Sequence, residues 1–198
     1  MAPVLSKQEI RRRALASRQA QPDKDPLSLR ICRRLADLPR YADARTVMSY
    51  VHVRSEVRTQ DFLRAALARG RRIVVPYCVG GDLGLFLLAD MDELSPGTIG
   101  IPEPRAELRG RPEKRVDAAE LDLVVVPGVA FDPRGARLGY GRGYFDKLLA
   151  RVRPDTLLVG LAFECQVFPA IPVEPHDVCM DLVITEENVY TGQGRRAA

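Results

Sequence analysis

Short runs of aliphatic and β-branched residues, separated by longer amphipathic segments, constrain the fold of this chain most strongly. The runs LDLVVVP (121–127) and TLLVGLAF (156–163) are almost uninterrupted, and TVMSYVHV, RIVVPY, LGLFLL and DLVITE resemble them. Strands of this kind are typical of a parallel sheet that is covered by helices on both faces. The sequence therefore predicts a three-layer α/β/α fold with a mainly parallel sheet.

The helices between these runs can be placed from their start patterns. Ser6 and Glu9 form the pattern of a capping box, so a first helix is predicted to begin there and to end near Ala20. Pro26 suits a first helical position, and the apolar residues that follow it at helical spacing predict a second helix to about Leu38.

The length of the chain suits one domain with a substantial core: it has 198 residues, of which 46% are hydrophobic and 28% charged. Residues 1–190 are predicted to form that domain, with residues 89–120 as a long loop and residues 191–198 as a flexible tail. No apolar run reaches the roughly 18 residues of a membrane span, and the first residues lack the apolar core of a signal peptide.

The four cysteines and two histidines form no recognisable metal or disulfide pattern. No cysteine pair has Cys-x-x-Cys spacing, and His52 and His176 are far apart in the sequence. Neither a zinc site nor a disulfide framework is therefore expected, and the reducing cytoplasm is the predicted location.

The segment 124–149, VVVPGVAFDPRGARLGYGRGYFDKLL, joins a buried strand to a predicted helix through a loop rich in glycine and arginine. Residues 135–145 are called the glycine loop below. Glycines let backbone N–H groups approach an anion closely, and guanidinium groups match phosphate oxygens. The spacing fits neither a Walker A sequence nor a dinucleotide fingerprint. The combination of glycines, arginines and a following helix nevertheless predicts a phosphate-bearing ligand.

Positive charge is concentrated near the N-terminus. Residues 1–45 hold 11 Lys and Arg against 5 Asp and Glu, which gives +6, whereas the whole chain has +4. Such an arm can bind nucleic acid electrostatically, but no RNA-stacking or helix-turn-helix pattern accompanies it. A pair of amphipathic helices with solvated charges is the favoured interpretation. Contact of one or two of these cations with a phosphate is a separate, narrower alternative. A basic RNA-binding protein stays open as an alternative.

The segment FDPRGARLGYGRGYFD (131–146) resembles the signature of the 5-formyltetrahydrofolate cyclo-ligase family, whose members are also called methenyltetrahydrofolate synthetases. Three further segments match the family in the same order: KQEIR (7–11), SYVHVRSEVRT (49–59) and VEPHDVCMDLVITE (173–186). The resemblance implies an enzyme that converts 5-formyltetrahydrofolate to 5,10-methenyltetrahydrofolate with ATP and Mg²⁺. Transfer of the γ-phosphoryl group would activate the formyl oxygen, and folate N10 would then attack the activated carbon.

The resemblance also implies roles for individual residues. The catalytic residues would be Arg137, Arg142 and Tyr144. ATP would be bound by Lys7, Arg11, Arg137, Leu138, Gly139, Tyr140, Gly141, Arg142, Gly143, Tyr144 and Phe145. The folate substrate would be bound by Val51, Glu56, Tyr140, Gly141, Arg142, Gly143 and Tyr144. Magnesium would be held by Asp146 and Asp177.

The residues taken by themselves leave simpler interpretations open. Asp146 suits the first turn of a helix, where an acid complements the dipole, and Tyr144 suits a core position. Phe145 stands where the family often has a second tyrosine, so a hydrogen bond made by that hydroxyl would be absent here.

The expected partners are ATP and 5-formyltetrahydrofolate, without nucleic acid or a membrane, and the protein is expected to be a monomer. A folate- or nucleotide-binding homologue without turnover is an alternative. By analogy of fold alone, a sugar-phosphate or acyl-CoA enzyme is a further one.

Overall fold

The structure is a computed structural model that describes residues 5–97 and 100–195. Its helices are α1 (Lys7–Ala20), α2 (Lys24–Ala36), α3 (Pro39–Asp43), α4 (Gln60–Ala68), α5 (Ala106–Arg109) and α6 (Tyr144–Leu149). Its strands are β1 (Thr46–Ser49), β2 (Arg72–Val79), β3 (Asp82–Leu88), β4 (Leu94–Pro96), β5 (Pro102–Pro104), β6 (Leu123–Val126), β7 (Ala130–Phe131), β8 (Arg137–Leu138), β9 (Leu157–Leu161), β10 (Leu182–Ile184) and β11 (Val189–Thr191).

The main sheet of the described residues has seven strands in the order β11-β10-β9-β6-β1-β2-β3, and two smaller sheets consist of β4 with β5 and of β7 with β8. The five inner strands pair in parallel, and β3 and β11 join antiparallel at the two edges. At its centre, Val47 of β1 lies opposite Ile73 of β2 and Leu123 of β6. The predicted, mainly parallel sheet is confirmed.

Both faces of this sheet are covered, which explains the nearly continuous apolar runs. In β6, Leu123 and Val125 pack on the side of α2, α3 and α4, whereas Val124 and Val126 pack on the side of α6. All residues of β1, β6 and β9 are buried as a result. The predicted three-layer architecture is confirmed by this arrangement.

Helix α1 packs on neither face of the sheet. Its buried residues Ile10 and Ala14 belong to a separate cluster with residues of β7 and β8. Ser6 caps it as predicted, because its hydroxyl accepts a hydrogen bond from the backbone N–H of Glu9. The Glu9 carboxylate binds Arg12 and Arg13 instead of completing a capping box. No helix among the described residues is long and apolar enough to cross a bilayer.

The second helix begins earlier than Pro26. Helix α2 starts at Lys24, after Asp23 in the left-handed region (φ 51°), and ends at Ala36. Residues 89–120 have the predicted character, since they carry only β4, β5, α5 and short 3₁₀ turns in their described part.

The tail predicted to begin at residue 191 is wrong for residues 191–195. Thr191 belongs to β11, and the backbone N–H groups of the next three residues donate to Asp181, Arg134 and Met180. Arg195 donates to three further backbone carbonyls. Glycines make this close docking possible, because a Cβ on Gly192 would stand 2.2 Å from the Met180 oxygen. Residues 196–198 lie outside the described residues, and one domain over residues 1–190 stays a prediction.

Candidate active site

The candidate site lies at the carboxyl ends of β1 and β6, where the strand order reverses. From β1 the sheet continues through β2 on one side and through β6 and β9 on the other. Loops that leave two such strands diverge, and the crevice between them is the usual ligand site of an open α/β sheet. Residues 50–59 follow β1, and the β7–β8 hairpin leads from β6 into the glycine loop.

The β7–β8 hairpin lies within the segment that was predicted from the sequence to be a single loop. Its turn is held by Asp132, which is fully buried and accepts hydrogen bonds from the backbone N–H groups of Arg134 and Ala136. The same carboxylate accepts a hydrogen bond from the N–H of Ile171. The glycine loop therefore starts from a rigid base.

Helix α1 presents three cations along the glycine loop. Lys7, Arg11 and Arg18 are separated by four and seven residues, which places them on one side of a helix. Arg11 Nε donates to the carbonyl oxygen of Gly139 at 2.9 Å. At 1.5 Å per residue, the row from Lys7 to Arg18 is about 16 Å long. Its two ends therefore face different parts of the site.

At the first end, Lys7 binds two acids of the segment before β10. Its Nζ lies 2.8 Å from Asp177 Oδ2 and 3.0 Å from Glu174 Oε1. The pKa of Lys7 is raised above its usual value. Burial by itself would lower this pKa, but the hydrogen bonds to Asp177 and Glu174 outweigh burial. Burial by itself would raise the pKa of Asp177, but the hydrogen bonds from Lys7 and from the Glu174 N–H outweigh burial, and this pKa is lowered. The structure thus brings together Lys7, assigned to ATP, and Asp177, assigned to magnesium.

A second cation–acid pair lies beneath the glycine loop. Arg137 has a side chain that is 4% exposed, and its Nη2 lies 2.6 Å from Asp146 Oδ1. A Cβ on Gly139 would stand 2.9 Å from Arg137 Nη1, so the guanidinium lies directly against the loop backbone. Within the described residues, Arg137 Nε has no hydrogen-bond partner. A direct contact between Arg137 and a phosphate stays a prediction.

The tip of the glycine loop is open. Arg142 is exposed and makes no hydrogen bond or ion pair with the part of the chain that the structure describes, so its charge is available to a ligand. Gly141 and Gly143 have φ values of 91° and 69°, which few residues other than glycine adopt. Tyr144 and Phe145 begin α6 and pack, half-buried, against the core. Stacking of Tyr144 on a ligand stays a prediction.

At the other end of α1, Glu56 and Tyr140 form a network with Arg18. Glu56 is 6% exposed, and its carboxylate accepts hydrogen bonds from the Tyr140 hydroxyl at 3.4 Å and from the N–H of Val53 at 3.1 Å. Arg18 is 2% exposed, and its Nη2 donates to the Tyr140 hydroxyl at 2.6 Å. Burial raises the pKa of Glu56 above its usual value, although its hydrogen bonds and Arg18 act against the shift.

Two predicted contact residues lie in the hydrophobic core. Val51 belongs to the cluster under α2 and α4, and Leu138 belongs to the cluster under α1. The side chains of both are buried, and their contacts with folate and ATP stay predictions.

Arg18 and Glu174 were not among the predicted site residues. The helical spacing of Arg18 from Lys7 and Arg11 is the pattern from which it could have been found. The interpretation of the N-terminal charges as solvated is wrong for the buried Arg18. It is right for Arg12, whose side chain is 71% exposed. For Glu174 the sequence carries no comparable indication.

The donor groups suit magnesium that arrives with a nucleotide. Among the described residues, no three His, Cys, Asp or Glu side chains are grouped to hold a metal ion. Asp146 and Asp177 each bind a cation through one oxygen, and the second oxygen of Asp177 lies 3.8 Å from His176 Nε2. Mg²⁺ is usually held by one or two carboxylates together with phosphate oxygens and water. Each aspartate therefore offers a donor suited to this ion, and neither belongs to a complete cage among the described residues.

A covered α/β sheet with a cationic loop at its crevice places the chain in the class of α/β proteins that offer a small-molecule site at the carboxyl ends of their strands. Residues 4–186 match the model of the 5-formyltetrahydrofolate cyclo-ligase family. A 5-formyltetrahydrofolate cyclo-ligase of Mycolicibacterium smegmatis is 33% identical over 144 residues, which are 71% of this chain and 73% of that protein. One of Escherichia coli is 29% identical over 184 residues, or 91% and 97% of the two chains.

Solved structures agree with these matches. The 5,10-methenyltetrahydrofolate synthetase of Aquifex aeolicus superimposes with a TM-score of 0.82 at 32% identity and covers 97% of this chain and 95% of its own. A synthetase of Mycoplasma pneumoniae, at 22% identity, TM-score 0.72 and coverage of 92% and 99%, supports the fold. The chain therefore belongs to the 5-formyltetrahydrofolate cyclo-ligase family. The family and the enzyme class predicted from its motifs are confirmed.

Proposed function

We propose that this protein closes 5-formyltetrahydrofolate to 5,10-methenyltetrahydrofolate in a reaction that consumes ATP and releases ADP and phosphate. The observation that carries the proposal is the course of α1 along the glycine loop. One end of the helix places Lys7 beside the acid Asp177, and the other end approaches the buried carboxylate Glu56. Family membership supports the same reaction.

The ATP phosphates are assigned to the glycine loop and to the Lys7 end of α1. Lys7, Arg11 and Arg142 supply positive charge there, and the loop supplies backbone N–H groups. Arg137 supports the loop from below through its contact with Gly139. Asp146 and Asp177 would hold the magnesium ion, which neutralises charge on the transferred phosphoryl group.

The folate ring is assigned to the Glu56 end. A carboxylate accepts hydrogen bonds well from the amino and ring N–H groups of a pterin, and Glu56 is held in place by the N–H of Val53. Tyr140 is 50% exposed and lies beside Glu56, and Tyr144 offers a second ring for stacking. The two substrates would then meet over the glycine loop.

The reaction needs positioning more than a protein nucleophile. The formyl oxygen attacks the γ-phosphorus of ATP, and the bond from that phosphorus to ADP breaks. Folate N10 next attacks the activated formyl carbon and loses its proton, and the carbon–oxygen bond breaks to release phosphate. The cations of the loop balance the charge that moves between these atoms.

The protein is further proposed to act in the cytoplasm as a monomer on small molecules alone. An RNA-binding role is disfavoured because Lys7, Arg11 and Arg18 of the basic arm face the crevice, where Arg18 is buried, instead of forming an open charged surface. A homologue without turnover is disfavoured because both cation–acid pairs of the site are present.

The test is an assay of purified protein with 5-formyltetrahydrofolate, ATP and Mg²⁺, in which the near-ultraviolet absorbance of the methenyl product is followed. Omission of each component in turn should abolish the increase. Binding of folate and ATP in calorimetry without any product would identify the non-catalytic homologue. Binding of polynucleotide that persists with both substrates present would favour the RNA-binding alternative.

A further inference from the structure

We propose that Arg18 is a positioning residue for the folate side of the site, where it holds Tyr140 of the glycine loop against Glu56. The inference rests on the function proposed above, because it assigns a role within the same site. It concerns a side chain at the end of α1 that lies opposite Lys7.

Three segments around the crevice meet at the Arg18 guanidinium. Its Nε donates to Ser55 Oγ at 3.1 Å, in the segment after β1. Its Nη1 donates to the Gly128 carbonyl at 3.2 Å, after β6, and its Nη2 donates to the Tyr140 hydroxyl at 2.6 Å. These partners lie 37, 110 and 122 residues away along the chain. One side chain therefore fixes the relative position of both crevice walls and the glycine loop.

The positive charge of Arg18 is buried, which requires a nearby opposite charge. Arg18 is 2% exposed, and its hydrogen bonds within the described residues all go to neutral oxygens. A buried cation is costly unless its donors are satisfied and an opposite charge is near. The acid of this network is Glu56, which Arg18 reaches through the Tyr140 hydroxyl. That hydroxyl accepts from Arg18 and donates to Glu56.

Tyr140 is the part of the network that would otherwise move. Its side chain is half-exposed, and it lies between Gly139 and Gly141, which restrict the backbone little. The hydrogen bond from Arg18 fixes the hydroxyl, while the guanidinium carbon stands 5.8 Å from the ring centroid. The ring is thus held in one orientation beside the carboxylate that is assigned to folate.

The experiment compares Arg18→Gln, Tyr140→Phe and the double variant in steady-state kinetics with both substrates. Arg12→Gln is the matched control, because Arg12 lies on the same helix with a side chain 71% exposed. Each single variant should raise the KM for 5-formyltetrahydrofolate on the order of tenfold, as expected for loss of a hydrogen bond to a charged group. The KM for ATP should change less than about twofold, and the double variant should not exceed Arg18→Gln because the two residues act as one unit.

A purely structural role gives a different result. In that case Arg18→Gln would lower the melting temperature without a selective change in the folate KM, and Tyr140→Phe would have no effect. Either that result or additive effects in the double variant would overturn the inference. If Arg18→Gln does not fold, Arg18→Lys takes its place in the comparison, because lysine keeps the charge but cannot reproduce the planar set of three hydrogen bonds. If the wild-type protein forms no product, the proposed function fails, and calorimetric folate affinities of the same variants still decide the role of Arg18.

Discussion

Lys7, the first residue of α1, and Asp177, which follows it by 170 positions, form an ion pair with 2.8 Å between Nζ and Oδ2. The pair fastens the first helix of the chain to the segment that precedes β10. A second pair, Arg137 with Asp146, lies beneath the glycine loop. Each pair joins a residue predicted to bind ATP to a residue predicted to bind magnesium. In each pair, the cation is the group expected to bind phosphate, and the carboxylate is the group expected to bind magnesium.

Replacement of Lys7 by glutamine should weaken ATP binding selectively. The change removes a charge from the end of α1 that is assigned to phosphates, so the KM for ATP should rise by about tenfold or more. The KM for folate should change little, because Glu56 lies near the far end of the helix. Arg13→Gln serves as the control, since Arg13 is exposed and pairs with Glu9 at the surface. Equal changes in both KM values would contradict the assignment.

Folate binding should depend on pH through Glu56. Burial raises the pKa of Glu56, against the opposing effects of the Val53 N–H, Arg18, Tyr140 and Arg54. The carboxylate therefore takes up a proton at a higher pH than an exposed glutamate does, and protonation removes an acceptor for the pterin. The KM for folate should rise as the pH falls through this raised pKa.

The matched variant for this dependence is Glu56→Gln, which cannot titrate. It should have a higher folate KM at neutral pH and should lose the part of the pH dependence that is due to the protein. Ionisation of the folate itself affects both proteins equally. Identical pH profiles for the two proteins would show that Glu56 does not bind folate as an anion.

Replacement of Asp146 by asparagine should destabilise the fold. It leaves the buried Arg137 guanidinium without a counter-charge, at a cost of about 2–3 kcal/mol in the free energy of unfolding. For a chain of this size, the melting temperature should fall by roughly 5–10 °C. Asp155→Asn is the control, because Asp155 is exposed and its pair with Arg153 lies at the surface. A melting temperature of Asp146→Asn equal to that of this control would contradict a stabilising ion pair with the buried Arg137.

Alanine substitutions at Gly143 in the glycine loop and at Gly70 outside the site distinguish the effect of backbone strain on stability from an effect on catalysis. Gly143 and Gly70 both have φ of 69°, and at each of them a Cβ would meet no atom of a non-adjacent described residue within 4 Å. Alanine at either position should lower the free energy of unfolding by about 1–2 kcal/mol, because both require the left-handed conformation. Gly143→Ala should in addition lower kcat/KM on the order of tenfold through displacement of the loop. Equal kcat/KM for the two variants would exclude a role of the loop conformation in catalysis.

The fold was predictable because its strands are buried on both faces. Such strands must consist of apolar residues, and residues 123–126 and 157–161 do so. The end of β1 was less predictable, because residues 50–53 are also largely apolar but leave the sheet after Ser49. There the carbonyl of Tyr50 accepts a hydrogen bond from the Thr59 hydroxyl, a tertiary contact that the apolar pattern does not contain.

The part of the site that lies in one continuous segment could be predicted from the sequence. The residues that reach the site from distant segments could be predicted only in part. The glycine loop shows its chemistry within a single segment, and Lys7 and Asp177 follow from the family resemblance. Arg18 matters through contacts with three distant segments, so its environment appears only in the folded chain. The burial of Arg137 is similar, since a loop arginine and a buried arginine look the same in a sequence.

The central claim is that ATP phosphorylates the formyl oxygen, and the most direct measurement follows that oxygen. Purified protein is supplied with ATP, Mg²⁺ and 5-formyltetrahydrofolate labelled with ¹⁸O in the formyl group, and both the methenyl product and the phosphate are analysed. The account predicts that product forms only with ATP and that the label appears in the released phosphate. Absence of product, formation of product without ATP, or label released into water instead of phosphate would contradict it.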